Sequence, residues 1–334
     1  MKMKQYRWPL AGQSSLLLVL FAFTLSCELL KLDVFPSYLG NSQGLVQLDS
    51  YLQAAGADPS LGDLGFMVFL DGAYQGTSYR YLGLVWHQVS AGPLLLFFDG
   101  DTLAFRKSLA NLPAGAYLGI TADGRLISGG PISETSPYIL IDPRSLQEDP
   151  LSNSFSSGSS FSRAWVVVAP DSGTPKIYLV SSNTNTLWYC DFSDVDTKTL
   201  GSVSAAFYLV DLLKVGDTLW FLIKNETDKT VSPYGVSNFS SFGFQSAYGS
   251  PTAPLPRIPL GNDGRAWISP GGVITVQHDD GVRLSRYSLD EGSKLDEFAM
   301  PNLKDGVFAF AADGRRWACY DRNRRRLYLL RTWW

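Results

Sequence analysis

Residues 307–321 read VFAFAADGRRWACYD: an apolar run, then Asp313-Gly314, then a second run carrying Trp317 and Tyr320. Asp-Gly between two such runs signals a hairpin, because both residues tolerate the positive φ of a type I′ turn. The flanks are rich in residues that suit a pleated, half-buried surface. The tripeptide Asp-Gly-Arg occurs twice more, at Asp123 in AYLGITADGRLISGG (116–130) and at Asp263 in RIPLGNDGRAWISPG (257–271). Asp263 and Asp313 are 50 residues apart, and Asp123 and Asp263 are 140 apart. The larger gap holds three steps of about 47, the scale of a repeat architecture.

Two weaker copies fall inside it. WVVVAPDSGTPKIYLVSS (165–182) places Asp171 in the turn, and FYLVDLLKVGDTLWFLIK (207–224) places Asp217 there. One step upstream, GFMVFLDGAYQG (65–76) offers Asp71. The series 71, 123, 171, 217, 263, 313 has spacings of 52, 48, 46, 46 and 50. A shared place in a hairpin turn gives these six aspartates a structural reading rather than a catalytic or calcium-binding one. A second strand pair follows most hairpins, as in Leu94–Phe98 before Asp99-Gly100 and Thr102–Phe105. Val282–Leu289 before Asp290-Glu291-Gly292 and Leu295–Phe298 is another instance. Four strands per unit at this period is the signature of a β-propeller blade.

The last unit ends on Arg326–Arg331 without a fourth strand, and an unpaired edge is an aggregation hazard. Residues 44–52, GLVQLDSYL, are the expected closing strand. The expectation is an all-β propeller of six blades with a period of about 48 residues. Seven blades follow if residues 33–62 form more than one closing strand, and a pair of β-sandwiches is the alternative. The resemblance to propellers is architectural, with no Trp-Asp signature and no kelch Gly-Gly pair in each repeat. Ser152–Ser160 reads as an inter-blade loop.

Apolar residues make up 45% of the 334 and charged residues 18%, so a sizeable core is available. The formal charge is −3; without Lys2, Lys4 and Arg7 the chain carries 25 basic against 31 acidic residues. That balance gives no basic footprint for nucleic acid. Three cysteines are too few for a disulfide scaffold, and Cys190 and Cys319 read as small buried hydrophobes or as a pair.

Lys2, Lys4 and Arg7 form a positive leader, and Leu16–Leu25 is a ten-residue apolar run broken only by Thr24. That is the length of a signal-peptide core, short of the roughly 20 residues of a spanning helix. The segment ends Thr24-Leu25-Ser26-Cys27. It resembles the lipobox of bacterial lipoproteins, in its looser spirochaete-like form: Ser26 and Cys27 match, while Thr24 stands where Leu is usual. The resemblance covers about the first 27 residues and implies cleavage before Cys27 and acylation of its thiol. A plain secretory signal with a coincidental cysteine is the alternative. The organisation that follows is a signal peptide at 1–26, a lipidated tether at 27–43 and the propeller at 44–334.

His87 and His278 lie in different repeats, and His278-Asp279-Asp280 reads as a polar turn rather than a metal site. No nucleophile elbow, paired Cys-x-x-Cys or phosphate loop is present, and no cofactor or metal is expected. Arg322, Arg324, Arg325 and Arg326 read as a charged turn or edge. Between Ser232 and Ser250, small polar residues alternate with Tyr234, Phe239, Phe242, Phe244 and Tyr248, a composition used by recognition loops. These readings combine into a membrane-tethered envelope lipoprotein, periplasmic or surface-exposed, whose propeller binds or scaffolds protein or carbohydrate. A tethered hydrolase or lyase acting on envelope carbohydrate and a purely structural surface protein are the alternatives.

Overall fold

The computed structural model describes residues 42–89, 92–110, 117–121, 123–129, 135–156, 161–168, 175–181, 186–191, 194–202, 207–236, 256–262, 264–269, 271–279, 283–299, 306–313 and 315–331. All belong to one compact unit, Ser37–Trp334.

The first sheet is a meander of β2 (Gly62–Tyr74), β3 (Thr77–Gln88), β4 (Leu94–Asp99) and β5 (Phe105–Leu109), paired antiparallel in that order. Next comes an eight-stranded sheet made of two such meanders. One holds β6 (Tyr117–Ile120), β7 (Leu126–Gly129), β8 (Thr135–Asp142) and β9 (Gln147–Ser156). The other holds β10 (Phe161–Val168), β11 (Pro175–Ser181), β12 (Thr186–Asp191) and β13 (Asp194–Ser202). They meet through one parallel pair, Asp196 opposite Ser156. A further sheet contains β14 (Phe207–Val215), β15 (Thr218–Asn225), β16 (Thr230–Val236) and β17 (Ile258–Pro259). It is followed by one of β18 (Arg265–Ser269), β19 (Val273–Gln277), β20 (Arg283–Ser288) and β21 (Lys294–Ala299).

The last sheet takes β22 (Val307–Phe310), β23 (Arg316–Asp321) and β24 (Arg326–Arg331) from the C-terminal end and β1 (Ser42–Gln47) from the N-terminal end. β1 lies antiparallel to β24, with Leu45 opposite Tyr328 and Gln47 opposite Arg326. Within the unit, β2 packs beside β6 and β22, β10 beside β6 and β14, and β14 beside β18. Trp267 of β18 meets Phe308 of β22 edge-on at 5.5 Å, so the series of first strands returns to its start.

The sheets bury both faces. Leu94, Leu95, Leu96, Phe97 and Phe98 of β4 are all fully buried. Successive strand residues point to opposite faces, and here the two faces serve two cores. Leu94, Leu96 and Phe98, with Leu82, Leu84 and Trp86 of β3, join a core shared with β22–β24 residues such as Ala318, Tyr320 and Leu329. Leu95, Phe97 and Val85 join another with Leu118, Leu126 and Ile141 of β6–β8. A third core lies between the β14–β17 and β18–β21 sheets, around Leu222, Val231, Ile274 and Val276.

The expected closing strand at 44–52 is half correct. β1 ends at Gln47, and Leu48–Ala54 form a helix, α1, instead of continuing the strand. Leu48, Tyr51, Leu52 and Ala55 recur at helical spacing, so winding places them on one side. Leu48 and Leu52 become fully buried in the core between the first and last sheets. Tyr51 packs on Phe98 and Phe105 at 5.5 and 4.8 Å. The Ser-rich stretch expected as a loop is also partly strand, because β9 runs to Ser156 along the edge of β8.

Leu52→Ala removes a fully buried side chain from this wedge and is expected to cost about 2–5 kcal/mol in urea unfolding. An unchanged midpoint would mean that α1 is no part of the core.

Candidate functional site

Arg316 opens β23, and its side chain is 3% exposed. Its guanidinium is held by groups from two sheets. Nε donates to Asp313 Oδ2 in the β22–β23 turn at 2.6 Å, and Nη2 to Asp71 Oδ2 of β2 at 2.5 Å. Nη1 donates to the Gly100 carbonyl in the β4–β5 turn at 3.1 Å, and the Phe69 ring lies 5.4 Å away. Asp101, 3.5 Å from Nη1, also pairs with Arg80 of β3 at 3.4 Å and Arg331 of β24 at 3.3 Å. Farther along the junction Arg322 pairs with Asp63 at 3.0 Å and donates to the Leu64 carbonyl. Arg325 lies 3.7 Å from Asp49 of α1, and Gln47 donates to the Arg324 carbonyl.

Ion pairs join the first sheet to the last at this junction: Arg316 with Asp71 and Asp101, Arg322 with Asp63, and Arg331 with Asp101. Other junctions use hydrogen bonds to backbone groups. The Tyr79 and Tyr81 hydroxyls donate to the carbonyls of Gly124 and Pro143 at 2.7 and 2.6 Å. Asp211 accepts from the Ile268 N–H at 2.7 Å, and Lys224 donates to the Asn262 carbonyl. Gly124 fits only as glycine: its φ is +86°, and a Cβ would sit 1.8 Å from the Ala73 carbonyl oxygen.

The two carboxylates on Arg316 are served unequally. Burial pushes Asp313 upward, but bonds from Arg316 and from the Arg315 and Arg316 N–H groups, with the Arg316 charge, outweigh it and hold its pKa below the usual carboxylate value. For Asp71 burial prevails over the Arg316 charge and hydrogen bond, and its pKa is raised. Its Oδ1 is buried without a hydrogen-bond partner.

A second polar cluster lies in the β18–β21 sheet. Ser285, fully buried, donates to Glu297 at 2.8 Å, and its oxygen is 2.7 Å from His278 Nε2. Lys294 also binds Glu297. Nucleophilic catalysis needs the histidine between hydroxyl and carboxylate. Here the serine is in the middle and buried, so the arrangement is a structural bridge.

The residues singled out in sequence are distributed as follows. Asp123, Asp217 and Asp313 lie in the turns of the β6–β7, β14–β15 and β22–β23 hairpins; Asp171 and Asp263 lie outside the described residues. Asp71 is a correction: it stands within β2, which continues to Tyr74, and the turn falls on Gln75-Gly76, both at positive φ. Its carboxylate serves Arg316 instead. Tyr234 lies in β16, half-buried; Phe239, Phe242, Phe244, Tyr248 and Cys27 lie outside the described residues. The arginines of the β23–β24 turn are not an open charged edge, since Arg322 and Arg325 tie β2 and α1 to the last sheet and Arg324 faces Asp321. His87 is partly covered, which lowers its pKa. Asp279 accepts from the Asn262 N–H, and Cys319 is buried and free. Among the described residues no group of His, Cys, Asp and Glu could hold a metal.

The sequence matches no family model and no curated protein. Solved structures are similar to it. The WD40 domain of Neurospora crassa Pan2 superposes with a TM-score of 0.51 at 11% identity, covering 90% of this chain and 97% of that one. This is a propeller-like repeat domain. The β-propeller domain of Myceliophteria thermophila Cps50 (Swd1) gives a TM-score of 0.46 at 11% identity over 81% of this chain and 99% of its own. The Dos1 propeller gives 0.48 at 9% identity over 79% and 78%. At these identities the likeness is one of fold alone. The Arg316 cluster lies where the first and last four-strand sheets meet.

Replacing Arg316 with Leu leaves two carboxylates facing an apolar side chain, with an expected cost of about 3–5 kcal/mol in urea unfolding. A loss below about 1 kcal/mol would show that the cluster does not hold the blades together. Asp313, with its lowered pKa, contributes stability that is present above the unfolded carboxylate pKa and is lost as pH falls through the folded one. Asp313→Asn should therefore flatten the acid limb of the stability–pH curve; an unaltered limb would refute the assignment.

Proposed function

We propose that the chain is a membrane-tethered lipoprotein of the cell envelope, anchored by lipid on Cys27, and that its propeller has six blades and binds or scaffolds protein or carbohydrate. Six consecutive four-strand meanders, the last completed by β1, support the blade number. The observation that carries the binding reading is the use of the polar side chains. The arginines and aspartates of the blade junction hold the blades together, and Ser285 bridges His278 and Glu297 in the wrong order for catalysis. A rigid frame of this kind suits recognition by its connecting loops. The aromatic and serine-rich segment that begins at Tyr234 leads out of β16 towards β17, a third-to-fourth-strand connection of its blade. The leader charges, the apolar run and Ser26-Cys27 support the tether, since two or more acyl chains anchor stably where one does not.

The intact mass of the mature N-terminal peptide tests the tether. It should begin at acylated Cys27 and be lost in Cys27→Ala; an unmodified start elsewhere would overturn it. Crosslinking in intact cells tests the binding role. A recurrent partner should be captured by the wild type and lost in a Phe242→Ala/Phe244→Ala variant whose urea midpoint is unchanged. Equal capture by both would remove the aromatic segment from the binding surface.

A further inference from the structure

The first and last sheets share one buried guanidinium, and the two carboxylates that accept its hydrogen bonds differ in how well they are satisfied. Asp313 receives three donors: Arg316 Nε and the N–H groups of Arg315 and Arg316. Asp71 receives one, from Arg316 Nη2, and its other oxygen is buried and bare. An ionised carboxylate with an unsolvated oxygen is costly in a low-dielectric site, whereas the protonated acid is far less so. We propose that Asp71 is a proton-binding site at the meeting of the first and last sheets, and that proton uptake in weak acid tightens this junction rather than loosening it.

Asp71 is faced by Arg316 from β23, by Asp313 from the β22–β23 turn and by Arg80 from β3. Asp101 in the β4–β5 turn, itself paired with Arg80 and Arg331, is a third carboxylate beside Arg316, 3.5 Å from Nη1. Tyr79 of β3, with Asp123 beyond it, is a further acidic neighbour, and burial pushes its hydroxyl pKa upward so that it stays neutral. Asp313 repels the Asp71 charge while Arg316 and Arg80 favour it; burial decides the balance and raises Asp71. A raised folded pKa contributes stability that is present below the unfolded pKa and is lost as pH rises through the folded one. The stabilisation is therefore present in acid and is lost as pH rises through the raised folded pKa of Asp71.

Hydrogen exchange of the full mature chain, read as protection corrected for the intrinsic pH dependence of amide exchange, tests the proposal. As pH is lowered from neutrality towards the ordinary aspartate pKa, protection in 42–54 and 316–331 should rise relative to 218–236. Asp71→Asn imitates the protonated acid, so its junction should be as protected at neutral pH as the wild type is in weak acid, and the pH response should vanish. Asp313→Asn removes the repelling charge and should move the wild-type response to lower pH. The proposal fails if junction protection falls in weak acid, if it merely follows 218–236, or if Asp71→Asn keeps the wild-type response. A folding failure of Asp71→Asn would count against it as well, because the neutral side chain is claimed to fit better.

Discussion

Pairing between Ser42–Gln47 and Arg326–Arg331 is the constraint on which the other sheets depend. Strands such as β4 and β23 are buried on both faces, so a first and a last sheet must also cover one another or leave an apolar face in water. Backbone bonds from β1 to β24 fix the last sheet to the start of the chain. α1 then carries Leu48 and Leu52 into the space between the last sheet and the first. Burial of side chains of this size contributes about 1.5–3 kcal/mol each, which makes the wedge comparable with the strand pairing itself. Trp86 and Tyr320, in edge-on contact at 6.3 Å, fill the same space farther in.

The junction differs chemically from the others because the chain does not run through it. Adjacent blades elsewhere are joined by a connecting segment, and modest bonds such as Tyr79 to the Gly124 carbonyl suffice. The first and last sheets are far apart in sequence, and here the bonds run between oppositely charged side chains, which are stronger and more exacting in geometry. Arg316 and Asp71 are separated by 245 residues.

Much of this was legible in the sequence. Asp-Gly marked the turns at Asp123 and Asp313, and the repeat spacing marked the one at Gly216-Asp217; Gly124 and Gly216 have positive φ, and a local rule finds a local feature. The same rule misplaced the first hairpin. Asp71-Gly72 has the turn signature, yet the strand continues past it, because Asp71 is needed by a residue at the other end of the chain. No periodicity marks that. The helix was present in the spacing of Leu48, Tyr51, Leu52 and Ala55, but the same residues were read as the continuation of a closing strand. Arg316 carried one faint signal, being the second arginine after Asp313-Gly314 where the other two Asp-Gly-Arg copies have an apolar residue. A doubled arginine on a strand expected to be buried calls for counter-charges, and the sequence alone does not say that Asp71 and Asp101 supply them.

The five buried residues of β4 bear on how the fold chooses its alignment. A strand with one wet face is held in register by polarity, since sliding by one residue would turn its apolar side chains into solvent. Leu94–Phe98 carry no such penalty, because a slide would only exchange one set of greasy side chains for another between two dry interiors. What remains to fix the alignment is the end of the strand. Asp99 accepts from the N–H groups of Asp101 and Thr102 and pairs with Arg106, pinning the turn to one residue. The most hydrophobic strand of the molecule thus owes its alignment to an aspartate.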